Sequence, residues 1–188
     1  MYTTISVPPV ETQKETIVQT PQEASITEQQ LNSLQAKLKL ENQLKSGASW
    51  FYWIAGLSML NTLLLIIGAK LSLLMGLGVT QLIDALGIAI VSQVGPTTGM
   101  IVRVLAFLVN LAIASVFVLC GVFARKRQLS AFILGMVLYA LDVLILLVFQ
   151  EWLSFGFHLW ALYGLYSGLQ AKQKLAELES SPSFPSAA

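Results

Sequence analysis

Residues 129–149, LSAFILGMVLYALDVLILLVF, and residues 152–169, WLSFGFHLWALYGLYSGL, are two apolar runs separated only by Gln150 and Glu151. As helices rising about 1.5 Å per residue, each can cross a bilayer hydrocarbon core about 30 Å thick. Two polar residues leave room only for a tight reversal, so the runs form an antiparallel helical hairpin. Arg125, Lys126 and Arg127 stand just before it and close a third apolar block, residues 100–124; a fourth occupies residues 50–69. The fold class is therefore all-α, a polytopic transmembrane helical bundle. A fifth block, residues 71–91, is nearly as apolar but carries Asp84, and whether it crosses decides the topology.

Composition agrees with a bilayer as solvent. Of 188 residues, 55% are hydrophobic and 11% charged, against about 25% charged in soluble domains. The charges are segregated: of eleven Lys and Arg, only Lys70 and Arg103 fall between residues 46 and 124. A net charge of +1 with no basic face or groove excludes nucleic acid as a partner. The lone Cys120 sits inside an apolar helix, where it reads as a small packing residue. No apolar stretch of signal-peptide type occurs in the first 45 residues, so the first span is expected to direct insertion itself.

Four regions follow along the chain. Residues 1–24 read as a disordered tail. Residues 25–46 read as a polar or amphipathic juxtamembrane helix, opened by a capping box of Ser25 and Glu28, with Leu31, Leu34 and Leu38 along one side. Ser46 to Ser49 weaken that helix, and the aromatic cluster Trp50, Phe51, Tyr52 and Trp53 marks entry into the bilayer. Residues 47–169 are the transmembrane domain, and residues 170–188 a short helix and tail. Within the domain, Ser72, Gly76, Thr80, Asp84 and Gly87 form a small, polar stripe on a helix expected over residues 71–93. Gly95 to Gly99 form a turn, with a Thr placed to cap the next helix.

Lysines and arginines favour the cytoplasmic side. Four spans, with residues 71–93 interfacial or re-entrant, put Lys37, Lys39, Lys45, Arg125, Lys126, Arg127, Lys172 and Lys174 all inside. Both termini are then cytoplasmic. Five spans with the N-terminus inside would translocate the later clusters; five with it outside would translocate a polar tail holding Lys14, Lys37, Lys39 and Lys45. Four spans is the expected arrangement, five the alternative.

Asp142 precedes Gln150 by eight residues and His158 follows Glu151 by seven, so both lie at about the same depth, roughly 10–12 Å from the turn. A carboxylate facing an imidazole satisfies both groups where water is scarce, as a structural lock or as a proton-sensitive pair. Tyr139, Trp160 and Tyr163 stand near enough to join by hydrogen bonds, and Arg103 is a rival partner for Asp142 or Asp84. Asn61, about 16 Å in from Trp50, should face protein. Asn61, Asp84, Arg103, Asp142 and His158 thus form the candidate polar intramembrane cluster. Gly156, Gly164 and Gly168 form a small-residue row of the helix-packing kind.

Enzyme signatures are missing. No HExxH occurs, one His is too few for most metal sites, Gly76 and Gly78 lack a nucleotide loop's context, and Ser49 lies at the opposite side from His158. No catalytic residue, metal ligand or cofactor is expected. Residues 48–56 (ASWFYWIAG), 78–85 (GVTQLIDA), 139–142 (YALD) and 156–158 (GFH) resemble blocks found in small uncharacterised bacterial multi-pass membrane proteins, across roughly residues 46–175. The resemblance implies a bacterial inner-membrane location and no particular activity. The expected role is a structural or accessory membrane component. Its expected partners are the lipid bilayer and a second copy or another protein, reached through the N-terminal arm. The alternative is a small solute, ion or proton transporter or channel subunit using Asp142 and His158.

Overall fold

The computed structural model describes residues 21–67 and 76–181. They form five helices: α1 Pro21–Ile66, α2 Gly78–Val91, α3 Pro96–Arg125, α4 Leu129–Val148 and α5 Trp152–Ser180. No strand occurs among the described residues. Helices α1, α3 and α4 are long and apolar enough to cross a membrane. Helix α5 is long too, but its Trp, Tyr, His and Gly residues and its polar last turns dilute its apolar character.

Side-chain pairings make the four long helices an antiparallel bundle. Arg125 of α3 donates to Ser49 of α1 at one end, while Asn110 donates to Thr62 further along. Lys37 of α1 reaches Glu179 of α5, and Trp50 meets Trp160 edge-on. His158 of α5 faces Asp142 of α4, as the depth argument anticipated. The basic residues 37–45, 125–127 and 172–174 consequently lie at one end of the bundle. There Arg127 bridges Glu41 and Glu179, and Leu44, Ala48, Ala171 and Leu175 are buried between α1 and α5.

Both hairpin turns end a helix in the same way. Gln128 N–H donates to Phe123 O and Arg127 N–H to Ala124 O; Glu151 and Gln150 repeat the pattern onto Leu146 and Leu147. Arg127 and Gln150 take positive φ, 64° and 58°, the left-handed residue such a cap requires.

Several local expectations are corrected. Helix α1 begins at Pro21, so residues 21–24 are helical and Ser25 lies inside the helix; proline fits a first helical turn, where its missing N–H costs nothing. Residues 1–20 and 182–188 lie outside the described residues. Helix α1 also runs unbroken through Ser46 to Ser49. A Cβ on Gly47 would stand 2.4 Å from Gly168 Cα, so the small residues there permit a backbone-to-backbone crossing of α1 and α5. Helix α3 opens at Pro96 without a side-chain cap, so neither Thr97 nor Thr98 serves as one. Residues 170–180 continue α5 instead of forming a separate helix.

The core is aromatic and small-residue packing. Phe51 lies between Phe117 and Phe132, with ring centroids 6.5 and 6.0 Å away, and a Cβ on Gly135 would fall 2.3 Å from the Phe51 ring. Where lipid replaces water, such close packing, rather than the hydrophobic effect, holds helices together.

Helix α2 is the exception in length. Its 14 residues reach about 21 Å, short of the roughly 30 Å hydrocarbon core. It begins inside the bundle, against Leu146 and Asp142 of α4, and ends where Val91 meets Gly99 of α3. The expected helix over residues 71–93 therefore starts later: Gly76 and Leu77 are not helical, and residues 71–75 lie outside the described residues. Thr80, Asp84 and Gly87 are buried, as the stripe predicts; Ser72 is not described.

Candidate functional site

The candidate cluster divides into two polar sites, each built around one aspartate. At the first, Asp142 projects from α4 onto the start of α2. Gly78 N–H donates to Oδ2 and Val79 N–H to Oδ1, both at 2.8 Å. One residue earlier, Leu77 N–H donates to Ser58 Oγ at 2.7 Å. These are amides that a helix's first turn leaves without partners, and away from water each would carry a desolvation cost of about 1–3 kcal/mol. A carboxylate also complements the positive end of the helix dipole. Asp142 thus acts as an N-terminal cap supplied by a different helix.

His158 completes this site. Its Nδ1 lies 2.7 Å from Ser154 O, and because a carbonyl only accepts, Nδ1 carries the proton and donates. Nε2 then faces Asp142 Oδ2 at 3.4 Å, within ion-pair range but not aligned as a hydrogen bond. A proton on Nε2 makes that contact attractive; its absence sets a lone pair against a carboxylate. The imidazole stacks on Tyr139, with centroids 5.0 Å apart and planes 16° from parallel. Both rings are fully buried.

At the second site, Asp84 of α2 meets α1 and α3. Thr62 Oγ1–H donates to Oδ2 at 3.0 Å, and Asn110 Nδ2 donates to Oδ1 at 2.7 Å and to Thr62 Oγ1 at 3.1 Å. Asn110 Oδ1 is buried without a partner. Asp84 also lines a cavity of about 180 Å³ with Thr62, Leu65, Ile88, Phe107 and Arg103.

The other expected members make different contacts. Asn61 is buried, facing protein as expected, with its amide beside Gly76. Arg103 forms no ion pair with Asp84 or Asp142 and is exposed on α3. Tyr139 joins His158 by stacking, while its hydroxyl is buried without a partner. Trp160 packs on Trp50 and Tyr163 is exposed, so neither hydrogen-bonds into the site. In the glycine row, a Cβ on Gly164 would strike the Trp50 indole at 2.1 Å and one on Gly168 would approach Gly47 Cα at 2.7 Å. Gly156 does not share that face: a Cβ there would meet nothing within 4 Å.

Sequence reasoning missed the roles of Thr62, Ser58 and the amides of Leu77, Gly78 and Val79. Thr62 and Ser58 carried a faint signal, as hydroxyls within an apolar span; backbone amides carry none. Among the described residues, no group of three or more His, Cys, Asp or Glu is placed to hold a metal ion. Comparison with protein-family models, with curated proteins and with solved structures gives no match.

Proposed function

We propose that this chain is a multi-pass membrane protein of four spans, formed by the apolar parts of α1, α3, α4 and α5. Helix α2 is a re-entrant helix that enters and leaves from the side opposite the basic end. The protein acts as a structural or accessory membrane component, not an enzyme. The observation that carries this reading is the double hydrogen bond from Gly78 and Val79 to Asp142. A short helix with its N-terminus inside a membrane bundle would ordinarily offer free amides to an anionic ligand. Here the protein's own carboxylate occupies them, so Asp142 and His158 form a lock that holds α2 in place. The basic end faces the cytoplasm by the positive-inside tendency, and the family resemblance supports a bacterial inner membrane. The arm of α1 leaves Leu31, Leu34 and Leu38 exposed, an apolar row suited to a second copy or another protein.

The second reading, a small solute or ion transporter or channel subunit, draws support from the cavity beside Asp84. One pair of experiments separates the two. Cysteines replacing Ser33 and Thr97 singly, in a Cys120→Ala background, are labelled in intact cells with an impermeant thiol reagent. Labelling at Thr97 alone supports four spans, and labelling at both positions requires five. Asp142→Ala should then lower the amount of folded protein in the membrane. A folded Asp142→Ala protein that loses a pH-dependent flux would favour transport.

A further inference from the structure

We propose that the cavity between α1, α2 and α3 is a binding site for a small zwitterion, a compound bearing a protonated amine and an anionic group, with the amine on Asp84 and the anion on Arg103. The proposal does not depend on the accessory reading above. Asp84 accepts one hydrogen bond on each oxygen, from Thr62 and Asn110, and a carboxylate oxygen has capacity for a second. Asp84 also lines the cavity. Its carboxylate oxygens suit an N–H donor.

Arg103 supplies the opposite charge. It lines the same cavity, yet forms no ion pair or hydrogen bond among the described residues. It lies on the face of α3 that carries Phe107 and Asn110, one and two turns on. Asp84 is paired at the level of Asn110, so Arg103 stands roughly 10 Å further toward the end of α3 where Pro96 lies. The carboxylate is buried and the guanidinium is exposed. Leu65, Ile66, Ile88 and Phe107 add apolar lining, and low polarity around the buried Asp84 strengthens its charge contact.

Other ligand classes fit less well. A simple anion meets the Asp84 carboxylate as well as the guanidinium. A divalent cation finds one carboxylate where such ions need several oxygens, with a guanidinium lining the same cavity. The volume of about 180 Å³ has room for roughly six water-sized groups, the scale of a small amino acid or an ethanolamine headgroup. A free solute and an aminophospholipid share this chemistry, and the test distinguishes them.

Full-length protein in detergent micelles is titrated by calorimetry with free glycine and with a short-chain phosphatidylethanolamine. Their trimethylated counterparts, glycine betaine and short-chain phosphatidylcholine, serve as controls because they keep both charges but offer no N–H. At least one amine-bearing probe should bind, and its trimethylated counterpart should bind about tenfold more weakly or not at all. Arg103→Gln should weaken binding by about tenfold, the loss of one charge-assisted hydrogen bond, and Asp84→Asn should weaken it at least as much. Binding of glycine alone identifies a soluble ligand, and binding of the lipid alone identifies a headgroup. The proposal is overturned if neither amine binds, if the trimethylated probes bind equally, or if Arg103→Gln leaves affinity unchanged. Arg103 is exposed and has no ion pair or hydrogen bond among the described residues, so that variant folds even if Asp84→Asn does not.

Discussion

Asp142 and Asp84 are both buried carboxylates on apolar helices, and both touch α2, yet their partners differ in kind. Asp142 holds two backbone amides of another helix, with a stacked histidine behind it. Asp84 is held by two side chains and borders a cavity. Backbone amides cannot rearrange without moving the helix that carries them, so the first carboxylate is fixed to architecture. Side-chain donors can rotate toward a new partner, so the second can exchange one contact for another. Two buried carboxylates thus differ in how firmly they are held, and the nature of the donor decides the difference.

Asp142→Ala is the most direct way to break this contrast. It strips the acceptors from Gly78 and Val79, and the expected loss is about 3–5 kcal/mol, the cost of leaving buried polar groups uncompensated. Unfolding monitored by circular dichroism in detergent checks it; stability close to wild type would make the two aspartates equivalent. Asp84→Asn sharpens the contrast from the other side. The amide can still accept from Thr62 while Asn110 re-pairs, so the same measurement should show a loss of only about 1 kcal/mol.

A third carboxylate gives the smallest effect. Glu179, at the basic end, is held below the ordinary glutamate value of 4.5, first by the hydrogen bond from Lys37 and then by Arg127. A depressed carboxyl contributes stability that is present above its ordinary value and fades as pH falls through the depressed one. Protease nicking of the α1 arm should therefore rise only on acidification below the ordinary glutamate range. Glu179→Gln should remove that pH dependence. The group is well exposed, so solvent keeps its contribution small.

Much of the architecture was legible because a bilayer imposes coarse rules. Apolar length marked the long helices, two-residue turns set α4 antiparallel to α5, and equal distance from a shared turn brought Asp142 and His158 together. The basic residues marked one end of the bundle. Finer features followed from three-dimensional contact instead. Ser46 to Ser49 read as weak helix formers, but Gly47 is small so that α1 and α5 can touch at the backbone. Gly156 shares a helical row with Gly164 and Gly168, yet α1 crosses only beside the latter two. The cap on α2 was hidden, since half of it is backbone N–H and its acceptor lies 64 residues away. Arg103 looked like a partner for either aspartate because proximity along a span says nothing about which way a long side chain turns.

If Asp142 caps α2 within the bundle, amide hydrogen exchange at Gly78 and Val79 reports it. First-turn amides exchange quickly unless something outside the helix holds them. Exchange should be slow at both residues in the wild-type protein, fast in Asp142→Ala, and little changed in Asp84→Asn. Fast exchange in the wild type, or protection that survives Asp142→Ala, would contradict it.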